Sequence, residues 1–203
     1  MFFVVINGSP HHDGNTMFLL NKGLAELESL GGKVETIHAA DILRNLPVPF
    51  CTACSSPCQG KCSEGTRLAE VLHILRKADG LLLGSPVYFG TISAQLKAFW
   101  DKIRCLRTEK SLLNVVGGAV AVGASRFGGQ EGTLSTMQQM MLVQGMTLVG
   151  GGQKEFDCGH YGVAAQRPVQ EDAAAQERIV ILARRLFEVA QATRKLRFSG
   201  AKE

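Results

Sequence analysis

The chain has 203 residues, 45% apolar and 20% charged, with a formal net charge of +4. That composition excludes a disordered or collagen-like chain and suits a single globular domain. It contains no stretch near the ~20 apolar residues a membrane span requires, and no internal repeat of about 20–50 residues. The basic excess sits partly in Arg194, Lys195, Arg197 and Lys202, too little and too local for a nucleic-acid surface. The opening run has no basic leader and a short apolar core, so a cytoplasmic protein is expected.

Residues 2–6 read as a buried strand, after which Met17, Leu20, Leu24 and Leu27 recur at helical spacing until Gly31-Gly32. Residues 34–38 form a second strand. Residues 40–65 hold three prolines and four cysteines without a period, and are expected to be an excursion rather than an element. A helix over 66–77 leads to a buried third strand at 80–84. Ile92, Leu96, Phe99 and Ile103 mark another helix, followed by a fourth strand over 112–122, a helix near 131–145 and a short strand at 146–149. Residues 151–168 show no regular pattern. Ile179, Leu182, Leu186 and Val189 then define a final helix. One domain over 1–195 with a tail at 196–203 is expected.

Five strands separated by helices imply an α/β fold with a doubly wound parallel sheet in the flavodoxin-like order 2-1-3-4-5. No G-x-G-x-x-G follows the first strand, which argues against a dinucleotide-binding Rossmann sheet. Ligands of such sheets sit beyond the carboxyl ends of the strands, at the switch between strands one and three. The loops after Ile6, Gly84 and Val122 are therefore the ones to inspect.

The first of these loops, Asn7-Gly-Ser-Pro-His-His-Asp-Gly-Asn-Thr16, opens directly onto a helix. Ser9, Asn15 and Thr16 supply polar hydrogens where the helix also presents free N–H groups and its positive dipole end, an arrangement that suits an anion. The plainer alternative is a capped turn, with Asp13 or Asn15 as the N-cap. The loop has no lysine and no G-x-x-x-x-G-K-[ST] pattern, which excludes a Walker-type nucleotide site. His11 and His12 are adjacent, and neighbouring positions rarely point the same way, so a metal there is not expected.

The third strand runs into Gly84-Ser-Pro-Val-Tyr-Phe-Gly-Thr-Ile-Ser-Ala-Gln-Leu-Lys-Ala-Phe-Trp-Asp101. Tyr88 and Phe89 beside proline and glycine suit a planar ligand, or else simply cover the end of the sheet. This run resembles a motif of the flavodoxin-like NAD(P)H-dependent FMN reductases. So does the opening G-S-P-x-x-x-G-N-T, and a third likeness lies in the glycine-rich loop from Gly123 to Glu131 with its G-G-Q-E. The resemblance covers about residues 1–150 and implies FMN as cofactor. It implies that Ser9, His11, Asn15 and Thr16 hold the FMN phosphate. Pro86, Val87, Tyr88, Phe89 and Gly90 would line the flavin ring, and Ala124, Ser125 and Arg126 would close its other side. The family often has arginine at the position of His11, so less phosphate charge is compensated here, or in a pH-dependent way.

Cys51-x2-Cys54-x3-Cys58-x3-Cys62 crowds four thiols into one short loop. Disulfides are not expected in a cytoplasmic chain. Structural zinc favours two cysteine pairs separated by a longer span, whereas a compact run suits an iron–sulfur cluster, although neither ferredoxin spacing is matched. The loop resembles that of the iron–sulfur flavoproteins, a subgroup of the same family whose usual pattern is C-x2-C-x2-C and a longer gap. That implies a [4Fe–4S] cluster on the four cysteines, with zinc as the alternative. It also implies a flavin-dependent oxidoreductase, a homodimer or homotetramer, taking electrons from ferredoxin or NAD(P)H and passing them to a quinone-like or other small acceptor. The rival readings are an FMN or quinone reductase without a cluster, and a redox sensor switched by its cysteines. Cys105 and Cys158 are expected to stand apart from the centre.

Overall fold

The computed structural model describes residues 1–198, so the expected tail lies outside the described residues from position 199 onward. The elements in chain order are β1 (Phe2–Asn7), α1 (Asn15–Ser29), β2 (Lys33–His38), α2 (Ala39–Arg44), α3 (Arg67–Lys77), β3 (Gly80–Pro86), α4 (Ala94–Lys102), α5 (Arg104–Glu109), β4 (Val116–Gly123), α6 (Gln130–Val143), β5 (Thr147–Leu148), β6 (Val163–Gln166) and α7 (Ala173–Phe198), with one 3-10 turn at Lys61–Ser63. The strands pair in parallel in the order β2-β1-β3-β4-β5, with β6 also against β4. The sheet is thus the doubly wound flavodoxin-like one that the alternating pattern implies.

Alternate residues of β1 feed two separate cores, because successive side chains of a strand point to opposite faces. Val4 and Ile6 join Leu75, Leu83, Leu96 and Phe99 on the face covered by α2 to α6. Phe3 and Val5 join Leu20, Leu82, Ile179 and Leu182 on the face covered by α1 and α7. Arg184 of α7 adds a hydrogen-bonded ion pair to Glu26 of α1 at 2.8 Å. Among the described residues no helix is long and apolar enough to cross a membrane.

Three expectations require correction. The excursion begins later than 40, because residues 39–44 form α2, which buries Ala39, Ile42 and Leu43; six residues are too few to display a helical period. The fourth strand starts at Val116 rather than 112, since Leu112 and Val115 are buried in a turn that Asn114 closes at φ +64°. The stretch 151–168 is not wholly irregular. β5 lies against Val116 and Gly117, and β6 against residues 120–123 of the same strand, so the two make one discontinuous fifth strand. The burial of β6 alternates over only four residues, too short a run to identify beforehand.

The site-bearing ends of β1 and β3 are locked together at Gly8, whose N–H donates to the carbonyl of Gly84 at 2.8 Å. A Cβ on Gly8 would stand 2.8 Å from both that oxygen and Leu96 Cβ. Gly8→Ala is expected to lower unfolding free energy by about 1–3 kcal/mol through overpacking against backbone, measured by urea denaturation. Gly151→Ala, where a Cβ meets nothing within 4 Å, should stay within about 0.5 kcal/mol.

Candidate functional site

The loop after β1 is shaped by Asn7, which is fully buried and whose amide makes three hydrogen bonds. Its Oδ1 accepts from Ser9 N at 3.0 Å, and its Nδ2 donates to the His11 carbonyl at 2.9 Å and to His38 Nδ1 at 3.1 Å. Ser9 Oγ in turn accepts from His11 N, leaving its own proton free to donate. The sequence offered Asp13 or Asn15 as the cap of α1, but Gly14 occupies that position and no side chain caps the helix. Asn15 Oδ1 instead accepts from Val169 N at 3.0 Å, tying the loop after β6 to the start of α1. Thr16 is buried, and its hydroxyl has no partner among the described residues. The first turn of α1 therefore keeps free N–H groups beside an unused hydroxyl, an arrangement that suits an anion.

His38, at the carboxyl end of β2, stacks on His12 with ring centroids 4.1 Å apart. His12 Nε2 lies 3.0 Å from Asp41 of α2. Burial pushes the His38 pKa below the ordinary histidine value; the charge of His12 adds to this, Asp41 opposes it, and Arg67 contributes a last lowering push. Its neutral ring is the form that can accept from Asn7. The sequence drew attention to the His11-His12 pair but missed His38 as the support behind the loop.

The second and third loops meet back to back. Tyr88 and Thr91 exchange backbone hydrogen bonds of 2.9 and 3.2 Å, reversing the chain through Phe89 and Gly90 at φ +50° and +79°. Gly129, at φ +94°, passes so close that a Cβ would sit 2.9 Å from Gly90 Cα. Gln130 is buried at the start of α6 and clasps the third loop. Its Oε1 accepts from Gly128 N at 2.8 Å, and its Nε2 donates to the carbonyls of Ser125 and Ala165 at 2.6 and 3.2 Å. Tyr88, Phe89, Ala124, Ser125 and Arg126 are exposed, while Pro86 and Val87 are half-buried at the end of β3. A cavity of about 500 Å³ opens beside Arg126, bounded by Gln130, Gln166, Arg167, Pro168 and Asp172. The phosphate-loop residues do not line it. Gln130 lay inside the quoted G-G-Q-E without being singled out, and its spacing from two glycines was the available signal.

Cys51, Cys54, Cys58 and Cys62 all line one hollow, together with Asp101, Lys102 and Arg104 from α4 and α5. All four are free thiols. Among the described residues no three histidine, cysteine or acidic side chains already stand as a metal-ligating group. The free space is about 20 Å³, so a metal core is accommodated only as the loop folds around it, which is how many metal sites couple to order. The donor chemistry fits: four soft thiols share one wall-to-wall hollow. Cys105 lies behind the loop, its Sγ 3.7 Å from where a Gly60 Cβ would stand, and burial, chiefly, pushes its thiol pKa up. Cys158 is distant in the chain and exposed.

Residues 1–160 match the model of the family described as NADPH-dependent FMN reductase. The chain is 39% identical to an iron–sulfur flavoprotein of Methanocaldococcus jannaschii over 96% of its own length and 100% of that protein. The chain belongs to the NADPH-dependent FMN reductase family, in its iron–sulfur flavoprotein branch. An iron–sulfur flavoprotein of Methanosarcina thermophila is 32% identical over 95% of this chain and 96% of that one. The fold is also that of a WrbA-like flavodoxin from Agrobacterium tumefaciens, with a TM-score of 0.67 at 19% identity over 94% of this chain and 98% of that one. As a member of this family the protein is an oxidoreductase.

For this FMN reductase relative, the support behind the first loop should be acid-sensitive. Because folding depresses the His38 pKa, the unfolded chain binds its proton first as pH drops below about 6.5. Stability is then complete above that pH and is lost as pH falls through the folded value. Urea midpoints are expected to decline between pH 7.5 and 5.5. In His38→Gln, whose amide oxygen still accepts from Asn7, that decline should flatten.

Proposed function

We propose that the protein binds FMN at the β1–β3 switch point and a [4Fe–4S] cluster in the cysteine hollow. In this reading it passes electrons from NAD(P)H or ferredoxin to a small quinone-like acceptor. The observation that carries the flavin half is the uncapped start of α1 beside the unpartnered Thr16 hydroxyl. An anion with several oxygens satisfies these donors together with Ser9, Asn15 and the loop at His11. FMN has a single phosphate, which suits one helix terminus and the absence of a second phosphate-binding glycine fingerprint. Pro86, Val87, Tyr88, Phe89 and Gly90 on one side, and Ala124, Ser125 and Arg126 on the other, flank the ring in this assignment. Gln130 holds the second group in place.

The flavin and the cluster supply the redox chemistry when bound, so the chain needs no acid–base triad of its own. What the residues do is position and shield. The left-handed turn at Phe89 and Gly90 brings backbone close to a flat ligand. Cys51, Cys54, Cys58 and Cys62 ligate the metal core, and Cys105, kept protonated by burial, stays outside it. The cysteine half is supported by the four thiols sharing one hollow and by the iron–sulfur flavoprotein relatives.

Thr16→Val should weaken FMN binding at least tenfold, because a hydrogen bond to a charged group contributes about 1.5–3 kcal/mol; fluorescence titration of the apoprotein measures this, and unchanged affinity removes Thr16 from the site. Analysis of anaerobically purified protein tests both halves together. FMN, iron and acid-labile sulfide are expected, with iron lost in Cys54→Ala, FMN retained in that variant, and both retained in Cys158→Ala. FMN with zinc and no sulfide would replace the cluster half by a cluster-free FMN or quinone reductase.

A further inference from the structure

A lysine can lay its alkyl stem along packed surface while its charged head keeps a route to water. Lys102, at the end of α4, is only 6% exposed. Its alkyl stem is covered, while its ammonium has no hydrogen-bond or ion-pair partner among the described residues and keeps an edge to solvent. It lines the same hollow as the four cysteines. Two more cations, Lys61 and Arg104, line that hollow, and one acid, Asp101. Both carboxylate oxygens of Asp101 already accept from Lys97 Nζ, at 2.7 and 2.8 Å. The walls therefore carry uncompensated positive charge around a space ringed by thiols.

We infer that Lys102 is the built-in counter-charge of an anionic metal–thiolate centre held by Cys51, Cys54, Cys58 and Cys62. The inference rests on the metal half of the proposed function and deepens it. Four thiolates bring more negative charge than the metal core offsets, and one-electron reduction of a cluster adds another. A fixed cation then interacts more strongly with the reduced form than with the oxidised one, so it raises the reduction potential. Its place on a regular helix also means that the charge is in position before the loop closes, so no reorganisation is needed on reduction. A lysine retained only for its alkyl stem would pack equally well as methionine, which has similar length and no charge.

The test uses the full chain, purified anaerobically, with iron, sulfide and FMN determined first. The cluster midpoint is then measured by potentiometric titration followed by electron paramagnetic resonance. Lys102→Met is expected to keep its iron and FMN and to shift the oxidised-to-reduced ratio at fixed potential at least tenfold toward oxidised, about 59 mV for one electron. Lys102→Arg should stay close to the unsubstituted protein. A variant Lys102→Met that loses iron while Lys102→Arg keeps it supports the counter-charge as well; loss in both overturns it. An unchanged midpoint with full iron in Lys102→Met overturns the inference and leaves the cluster reading intact. If the unsubstituted protein holds zinc without sulfide, the cluster reading falls and the inference is read from zinc retention against a chelator. Lys102→Met should then release zinc at least tenfold more readily, and equal retention overturns it. Protein that binds no metal at all overturns both.

Discussion

The contact between the exits of β1 and β3 is the constraint from which the rest of the site follows. Gly8 donates to Gly84, and the buried Ser93 hydroxyl donates to the Gly8 carbonyl while accepting from Leu96 N at 3.1 Å as the cap of α4. Ser93 N donates to Ser85 Oγ at 3.0 Å. One serine thus joins the first loop, the end of β3 and the start of α4. Parallel strands one and three diverge into helices on opposite faces of the sheet, and without such a clasp their loops would open independently. A side chain at Gly8 would displace the backbone that makes the clasp, which is why the loop turns on a glycine.

With that frame closed, the remaining polar groups divide into those that are consumed and those that are left over. Asn7 is consumed by the loop and His38, Gln130 by the third loop and β6, and the Asn15 oxygen by Val169. What remains is the first turn of α1 and the Thr16 hydroxyl. A half-buried helix terminus with free N–H groups favours an anion beside it. The leftover groups therefore specify the ligand's charge and place better than any single conserved-looking motif would.

The sheet order and the three loops were legible because long apolar strands and amphipathic helices leave unmistakable periods. Residues 3–6 and 80–84 are buried on both faces, and the helix marked by Met17, Leu20 and Leu27 has its buried stripe where its spacing puts it. Short elements were not legible. α2 has too few residues for a period, and β6 is recognisable only because β4 extends past β5 and needs a partner. Within the site, types and loops could be read from the chain, but allocation could not. Whether Asn15 caps α1 or reaches Val169 depends on a loop 154 residues away in sequence, and the burial of Lys102 depends on how the cysteine loop lies over α4.

The two regions then differ in how they are prepared for their proposed ligands. The loops after β1, β3 and β4 are fixed to the sheet by backbone hydrogen bonds and by buried serine, asparagine and glutamine side chains, so the proposed flavin would meet a surface already shaped. The cysteine segment between α2 and α3 has one 3-10 turn, and its internal hydrogen bonds concentrate at its end, from Gly60 to Thr66, with Ala53 N to Cys51 Sγ and Gln59 N to Ser55 Oγ among the cysteines. In the proposed reading, a bound metal core adds to that order. A component fixed to the scaffold lies beneath the segment at the end of α4, where Lys102 lines the same hollow as the four cysteines.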